Sequence, residues 1–391
     1  MTPVYAAQGI RVLRVMSGLV CSLFAGFAGA ATDSVKVDPL AALELPAKPS
    51  PHWVWVNDIV FHHMADGKAF LLDGDHGTML GMLSTGFGFN GVVLPRNGAA
   101  ILSPEIYYSR GTRGTRTDVV TLYDPRTLSP LGEISIPPKR VSSTPMSANS
   151  ALTDDDRFLL IYNFTPAQSV SVVDVPARKL VGEIETAGCA QVYPTGPRGF
   201  FSLCSDGTAL QVTLKDSGLV ASKARSARLF DAEHDPVTEK AVRDGDTWLF
   251  VSFSGMVVPV QSGAAVPRSG QAWSLLDDSA RKAFWMPGGV QHLSLHPGDR
   301  RLYSLMHVGG RDTHKDEGTE VWVYDVPAKQ RVQRFELKNP AMSIMVTRDA
   351  APLVFAIFAD EAQIDVYDGR SGKLLRSIND IGITPMTFTE Y

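Results

Sequence analysis

The stretch Val321-Trp-Val-Tyr-Asp-Val-Pro-Ala-Lys-Gln-Arg-Val-Gln-Arg-Phe335 contains the pattern that decides the fold. Its first residues are β-branched and aromatic, which is typical of a strand on a pleated, half-buried surface. Asp325 then begins a tight turn, because Asp and Pro supply a local hydrogen bond and a preset φ angle. The residues up to Phe335 return as a second strand, so the stretch predicts a β-hairpin.

The same strand–turn–strand pattern recurs along the whole chain. Its turn residues are Asp73, Asp124, Asp174, Asp216, Ser262, Asp325 and Asp368. They are spaced roughly 50 residues apart, and further short strands precede each hairpin. Three to four strands per repeat of this length are typical of a β-propeller. The predicted fold class is therefore all-β, a seven-bladed β-propeller, although Asp216 and Ser262 match the pattern less well.

Helical periodicity is scarce in this sequence. The best candidate runs from Trp273 to Phe284, with Ser274 or Asp277 near its start as a capping residue. It lies in the longest gap between two hairpins, so we interpret it as an insertion between blades.

The N-terminal segment has the features of an export signal. Arg11 and Arg14 precede an apolar run that ends at Phe27, and Ala28-Gly-Ala30 fits a cleavage site. We therefore predict a signal peptide at 1–30, a polar, proline-bearing arm at 31–52 and the propeller at 53–391. No other apolar stretch is long enough to span a bilayer.

The net charge and the number of cysteines limit which partners and sites are expected. The formal net charge is −4 and there is no basic run, so nucleic acid is not an expected partner. Cys189 and Cys204 remain after removal of the signal peptide, and an exported protein meets an oxidising compartment. One disulfide is favoured over a metal site, because two cysteines without a nearby histidine cannot complete a zinc shell.

Motifs for catalysis or metal binding are missing from the sequence. It contains no G-x-S-x-G elbow, no Gly-rich phosphate loop and no H-E-x-x-H. His62 and His63 are adjacent, so on a strand they point to opposite faces. His296 lies in a polar turn and is interpreted as structural. His307 and His314 flank a glycine-rich loop and could reach a partner or ligand, but no metal site is predicted.

One loop is unusually rich in arginine. Arg110, Arg113 and Arg116 follow Tyr107 and Tyr108 in an otherwise small, polar segment. A solvated surface loop is one interpretation. The other is an interface, because arginine and tyrosine are enriched where proteins bind each other. A propeller without its own active site points to a subunit or a binding platform.

Several strings in this order resemble the heavy subunit of the quinoprotein amine dehydrogenases, the group of methylamine and aromatic amine dehydrogenases. The resemblance covers the chain from about Trp53 to the C-terminus. The strings are Val56–Phe61, Arg113–Val120, Pro137–Val141, Gly188-Cys189 with Cys204, Trp273–Leu276, Pro287–Gly289, Thr313–Lys315 and Lys329–Val332. Pro-Pro-Lys-Arg-Val and Trp-Ser-Leu-Leu look closer to the aromatic branch.

The resemblance implies an assembly and a cofactor held elsewhere. Such enzymes are periplasmic heterotetramers of two propeller heavy subunits and two small, disulfide-rich light subunits. The light subunit holds a tryptophan tryptophylquinone, with which a primary amine condenses, and a light-chain carboxylate removes the α-proton. Aldehyde and ammonia leave, and electrons pass to a blue copper protein or a c-type cytochrome. On this basis no catalytic residue and no covalent cofactor are expected in the present chain.

The resemblance also implies roles for particular residues. Without it, Phe61 would be interpreted as a core residue; with it, Phe61 is expected to line the channel to the quinone. A one-residue slip would give that place to His62. The segment containing Tyr107, Tyr108, Arg110, Arg113 and Arg116 is expected at a subunit contact, and Cys189 and Cys204 form a pair shared with the family.

Two alternatives stand beside this interpretation. One is a periplasmic lactonase-like hydrolase with a metal in its central funnel. The other is a non-catalytic binding propeller.

Overall fold

A computed structural model of the chain describes residues 43–89, 91–263 and 265–391. The predicted signal peptide at 1–30 and residues 31–42 of the predicted arm lie outside the described residues. Residues 43–52 contain no helix or strand. They lie against the second repeat, where the Leu45 amide donates to the Arg126 carbonyl at 2.9 Å and the Arg126 guanidinium pairs with Glu44 at 2.6 Å.

Within the described residues the strands form seven antiparallel sheets, and each sheet is one blade. Blade 1 contains β1 (Trp53–Asp58), β2 (Gly67–Asp73) and β3 (Thr78–Gly86). Blade 2 contains β4 (Ile101–Tyr108), β5 (Arg116–Tyr123) and β6 (Pro130–Ile136). Blade 3 contains β7 (Ser150–Leu152), β8 (Phe158–Asn163), β9 (Ser169–Asp174) and β10 (Lys179–Glu185). Blade 4 contains β11 (Cys189–Pro194), β12 (Gly199–Cys204), β13 (Ala209–Leu214) and β14 (Val220–Arg225).

The remaining blades carry the additional short elements. Blade 5 contains β15 (Val242–Asp244), β16 (Thr247–Val251), β17 (Met256–Gln261), β18 (Arg268–Ser269) and β19 (Trp273–Ser274). The helix α1 (Asp278–Lys282) follows it. Blade 6 contains β20 (Trp285–Pro287), β21 (Leu293–His296), β22 (Arg301–Val308), β23 (Gly318–Asp325) and β24 (Gln330–Ala341). Blade 7 contains β25 (Ser343–Val346), β26 (Leu353–Phe358), β27 (Gln363–Asp368) and β28 (Leu374–Ile378). Short 3₁₀ turns occur at Ser147–Asn149 and Ala359–Glu361.

The last strand closes the ring. β29 (Pro385–Glu390) pairs antiparallel with β1, with Trp55 opposite Thr389, so the C-terminus supplies the innermost strand of blade 1. Closure leaves no long sheet edge open between the first and the last repeat. The predicted seven-bladed β-propeller is thereby confirmed.

Alternation along each strand builds the core between the blades. On β1, Val54 and Val56 pack against blade 7, whereas Trp53 and Trp55 pack against blade 2. Both faces of the sheet are buried, so a strand with period 2 can be apolar at every position. Within the described residues seven such clusters occur, one between each pair of neighbouring blades.

The predicted hairpin turns are where the sequence placed them, whereas the predicted helix is much shorter. Each of the seven turn residues lies at the end of, or within two residues after, the first strand of the outer hairpin of a different blade; these strands are β2, β5, β9, β13, β17, β23 and β27. Helix α1 covers only five residues, because its N-cap is Asp277, whose carboxylate accepts a bond from the Ala280 amide at 2.8 Å. Trp273 and Ser274 belong instead to β19, which pairs with β17.

Antiparallel neighbours place equivalent loops at the same end of the propeller. We call one end the upper face: it carries the loops β1–β2, β4–β5, β8–β9, β12–β13, β16–β17, β22–β23 and β26–β27, and the connections from one blade to the next. The hairpin turns identified in the sequence lie at the opposite, lower face.

Candidate functional site

The turn that follows β1 projects from the upper face and contains Phe61. We call residues 59–64 the Phe61 turn. Asp58, at the end of β1, is only 1% exposed, and its carboxylate accepts the backbone amides of Val60 at 2.8 Å, Ile383 at 2.7 Å and Thr384 at 2.9 Å. The turn is therefore fastened to the connection between blades 7 and 1.

The backbone of this turn is strained. Val60 is buried and has a φ of 46°, a left-handed conformation that is an outlier for a β-branched residue. Such strain of about 1–3 kcal/mol persists only where the surroundings enforce it, and it is common at functional sites.

The strained turn exposes an aromatic ring. Phe61 is 59% exposed, so the interpretation as a core residue is wrong. His62 and His63 are exposed as well. The choice between Phe61 and His62 as the group that lines a channel therefore stays a prediction.

Other apolar side chains are exposed on the same face. The set comprises Phe61, Tyr107, Phe164, Phe284, Val308 and Ile383. Ile383 lies beside the Phe61 turn, and Phe284 adjoins Val308 through the hydrogen bond from the Gly309 amide to the Phe284 carbonyl at 2.9 Å. These two pairs lie side by side, whereas exposed apolar side chains that stand singly are normal on a protein surface. Of these residues, the sequence analysis singled out only Phe61 and Tyr107. The others lie at or near the ends of strands, where the alternation of apolar and polar residues does not distinguish an exposed side chain from a core side chain.

The arginine-rich loop between β4 and β5 is also on the upper face. Arg110 and Arg113 are exposed, and the loop closes on itself through the Arg110 amide, which donates to the Arg113 carbonyl at 3.0 Å. Gly114 has a φ of 98°, and a Cβ there would lie 2.4 Å from the Ser109 hydroxyl oxygen, so this turn requires glycine. These two arginines remain candidates for an interface.

Arg116 differs from its two neighbours. Its guanidinium makes a bidentate pair with Asp118, with both N–O distances at 2.6 Å, and donates to the Arg140 carbonyl at 2.7 Å. The Asp118 carboxylate is fully buried. The place of Arg116 at a subunit contact stays a prediction, but its guanidinium is already held by Asp118 and the Arg140 carbonyl within this chain.

The two tyrosines before the loop have partners in this chain. The Tyr107 hydroxyl donates to Glu105 at 2.7 Å, and Thr121 and Tyr123 donate to the same carboxylate. Burial raises the pKa of Glu105, and the hydroxyl donors offset part of that rise. The Tyr108 ring packs edge-on against Phe87 at 5.1 Å. Tyr107 nevertheless keeps part of its ring exposed on the upper face.

An axial cavity of about 740 Å³ runs between the inner strands of the blades. Near its lower end the Arg243 guanidinium makes a bidentate pair with Asp154, and Arg348 pairs with Glu390. Toward the upper face the Lys240 ammonium is buried and donates to the Gly289 carbonyl at 2.6 Å. Burial lowers the pKa of Lys240. The cavity is polar, and its charged groups largely satisfy one another.

Three of the histidines considered in the sequence, His296, His307 and His314, have partners within this chain. His307 bonds to the Thr313 hydroxyl at 2.8 Å, and His314 stacks on Phe253 with ring centroids 3.7 Å apart. Burial lowers the pKa of both rings. The imidazole of His296 pairs with the Asp349 carbonyl at 2.8 Å and accepts the Asp299 amide, which confirms its structural role.

The cysteine prediction is confirmed. Cys189 and Cys204 lie opposite each other on β11 and β12 and form a disulfide in blade 4. Among the residues that the structure describes, no three His, Cys, Asp or Glu side chains are arranged to hold a metal ion. In the same part of the chain, no helix is long and apolar enough to cross a membrane.

The structure defines the class of closed seven-bladed β-propellers, an architecture that carries many different functions. The family model described as "Methylamine dehydrogenase heavy chain (MADH)" matches residues 51–390. The chain therefore belongs to the methylamine dehydrogenase heavy chain family.

Individual relatives agree with this membership. The methylamine dehydrogenase heavy chain of Paracoccus versutus is 29% identical over 361 residues, which cover 91% of this chain and 83% of the relative. That of Methylorubrum extorquens is 28% identical and is matched over 83% of this chain and 79% of its own length. Among solved structures, a functionally unknown protein from Desulfotomaculum acetoxidans superposes with a TM-score of 0.58 at 11% identity, covering 87% of this chain and 98% of that one. This last likeness shows the fold alone.

Proposed function

We propose that this chain is the heavy subunit of an exported amine dehydrogenase that converts primary amines to aldehydes and ammonia, with a preference for arylalkylamines. The observation that carries the proposal is family membership across residues 51–390, which is nearly the whole propeller. The catalytic group would belong to a light subunit, whose tryptophan tryptophylquinone supplies the oxidising chemistry.

The upper face is the surface that we propose for the light subunit, in a heterotetramer of two heavy and two light chains. Its exposed side chains such as Phe284 and Val308 would be buried on assembly, whereas the Phe61 ring would face the substrate channel. Arg110 and Arg113 would lie at the same contact and supply hydrogen-bond donors. Interfaces commonly combine an apolar centre with arginine and tyrosine in this way.

The preference for arylalkylamines rests on Phe61. An aromatic ring that faces the substrate channel would bury the ring of an arylalkylamine, and an aromatic pair adds about 0.5–1.5 kcal/mol beyond the buried area. Methylamine has no group to make this contact. The relatives named above carry the name of methylamine dehydrogenase, so the substrate has to be decided by measurement.

The cellular setting follows from the same proposal. Removal of the predicted signal peptide at 1–30 would place the complex in the periplasm. A blue copper protein or a c-type cytochrome would accept the electrons there.

Co-expression of the full-length chain with its cognate light subunit tests the proposal. We expect a complex of both chains that carries the quinone absorbance and loses it when an amine is added. The ratio of kcat/KM for 2-phenylethylamine over methylamine should favour the aromatic amine. A propeller that purifies without a quinone-bearing subunit, or a complex that oxidises no primary amine, would contradict the proposed function.

A further inference from the structure

We propose that Asp58 is a positioning residue which fixes the location of the Phe61 ring and thereby sets the preference for the substituent of the amine. This inference rests on the proposed function for the role of Phe61. The inference adds a role for the buried Asp58 carboxylate, which touches no substrate and acts through the backbone of the Phe61 turn.

The hydrogen bonds of Asp58 join two segments that are distant in sequence. One carboxylate oxygen accepts the Val60 amide at 2.8 Å and the Thr384 amide at 2.9 Å, and the other accepts the Ile383 amide at 2.7 Å. An ionised oxygen accepts such bonds more strongly than a neutral one. Asp58 therefore holds the Phe61 turn and the blade 7 to blade 1 connection in one arrangement.

The neighbouring backbone is shaped to admit this carboxylate. A Cβ on Gly382 would lie 2.1 Å from an Asp58 carboxylate oxygen, and Gly382 has a φ of 78°. Val60, with its left-handed φ of 46°, reverses the chain directly after Asp58. The left-handed conformation is unfavourable for Val60 but not for Gly382, so the bond from the Val60 amide to Asp58 helps to hold the Val60 backbone in place.

The position of Phe61 depends on the same bonds. The Phe61 amide donates to the Thr384 hydroxyl at 3.2 Å, while the Thr384 amide donates to Asp58. The ring itself is largely in solvent and has few contacts of its own to fix it. Its location is consequently set by the backbone on either side, and that backbone is fastened by Asp58.

An Asp58→Asn variant tests this role with little change in shape. The amide nitrogen can only donate, so in either orientation of the side chain it faces at least one backbone N–H, and at least one of the three bonds is lost. Hydrogen exchange at Val60, Ile383 and Thr384 should then become faster, which reports the loosened turn independently of activity.

Asp235 offers a matched control on the same face. Its carboxylate accepts the Ser254 amide at 2.9 Å and the Ser252 hydroxyl at 2.7 Å, so it fastens the second loop of blade 5 to the connection before that blade. Asp235→Asn removes a comparable clamp at a distance from Phe61. It should leave the preference between amines unchanged.

The experiment uses the complete complex with the light subunit and compares kcat/KM for 2-phenylethylamine and methylamine. We expect Asp58→Asn to reduce the preference for the aromatic amine about threefold to tenfold, the range of an aromatic contact. Phe61→Ala should have a similar effect. The double variant should lose no more than Phe61→Ala alone, because residues that act as one unit are not additive.

The outcomes separate this inference from the proposed function. If Asp58→Asn assembles normally and keeps the wild-type preference while Phe61→Ala changes it, the positioning role is wrong and the proposed function stands. If the double variant shows the effects of Asp58→Asn and Phe61→Ala multiplied together, the positioning role is also wrong. The same holds if Asp235→Asn changes the preference between the two amines as much as Asp58→Asn does. A wild-type complex that oxidises no amine would refute the proposed function, and this inference with it.

Discussion

The Asp154 carboxylate in blade 3 accepts two hydrogen bonds from the Arg243 guanidinium in blade 5, at 2.6 and 2.9 Å. Blade 4 separates the two partners in the ring, so the pair joins blades that are not neighbours across the axial cavity. Most other contacts in the propeller connect adjacent blades. This pair therefore braces the ring at its lower end.

Loss of the brace should destabilise the propeller more than loss of an ordinary surface pair. For Arg243→Met we expect a decrease of roughly 1–3 kcal/mol in the free energy of unfolding, because Asp154 is left partly buried without its main partner. Arg281, paired with Asp278 at 3.4 Å on the surface, is the control, and Arg281→Met should cost less than about 1 kcal/mol. Urea denaturation measures both, and equal shifts in midpoint would count against a bracing role.

The disulfide in blade 4 should contribute to stability and not to catalysis. In the chain-entropy model a bridge that closes a loop of this size stabilises a protein by about 3 kcal/mol. A Cys204→Ala variant should therefore unfold at a lower temperature while the quinone absorbance of the assembled complex stays unchanged. Calorimetry with and without a reductant checks this. A wild-type protein that is insensitive to the reductant, with both cysteines free on mass mapping, would contradict it.

His52 should make stability depend on pH near neutrality. Its ring bonds to Asp75 of blade 1 at 2.7 Å and to Asp349 of blade 7 at 3.2 Å. Burial lowers the pKa of His52, but the hydrogen bonds and charges of the two carboxylates outweigh it, so the net pKa is raised. A raised pKa means that the folded protein holds the proton more tightly than the unfolded chain.

The sign of the His52 effect follows from that difference. The stabilisation is fully present below the unfolded pKa of about 6.5 and is lost as the pH rises through the folded value. The difference in unfolding free energy between wild type and His52→Gln should thus be about 1 kcal/mol at pH 5.5 and shrink toward pH 8.5. Denaturation curves across this range test it, and a difference that grows with pH would exclude the raised pKa.

The fold could be predicted from the sequence because its repeated unit is local. Each hairpin turn, such as those at Asp73 and Asp325, depends on a few neighbouring residues whose turn chemistry can be recognised directly. Even the weak matches at Asp216 and Ser262 mark hairpins of blades 4 and 5. The short helix was overestimated because strand β19 and the Asp277 cap divide a segment that looked continuous.

The site was less predictable because its contacts are distant in sequence. The carboxylate of Asp58 and the amide of Ile383 are separated by 325 positions, and ring closure alone brings them together. The pairing of Arg116 with Asp118 had a local indication, since residues two apart on a strand share a face. The interface prediction grouped Arg116 with Arg110 and Arg113 because all three lie in one arginine-rich segment.

The two kinds of arginine in the loop should respond differently to substitution. Replacing Arg110 and Arg113 together by alanine should leave the unfolding free energy of the isolated chain within about 0.5 kcal/mol, because both side chains are exposed. The same change should weaken association with the light subunit. Arg116→Ala is the contrasting variant: it leaves the buried Asp118 carboxylate without its bidentate partner and should lower the stability of the chain itself by a few kcal/mol.

Sedimentation of the mixed subunits and thermal unfolding of the propeller alone separate these effects. If the Arg110/Arg113 double variant assembles as tightly as wild type, the arginine-rich loop is a solvated surface loop. If Arg116→Ala is as stable as wild type, the ion pair with Asp118 does not contribute as its burial indicates.

The ring of Phe61 should control which amines are accepted. Phe61→Ala removes an aromatic surface that is 59% exposed in the isolated chain, so it should leave the stability of the propeller nearly unchanged. It should also leave subunit assembly and the quinone spectrum intact. The ratio of kcat/KM between 2-phenylethylamine and methylamine should fall about threefold to tenfold, mainly through the aromatic amine.

A second variant distinguishes Phe61 from its neighbour. His62 is exposed as well, and His62→Ala should change the ratio far less if the phenylalanine is the lining group. A Phe61→Leu variant keeps an apolar side chain without the aromatic ring and should fall between wild type and Phe61→Ala, because area burial remains while the ring contact is lost. A ratio that changes with His62→Ala and not with Phe61→Ala would assign the channel to the histidine.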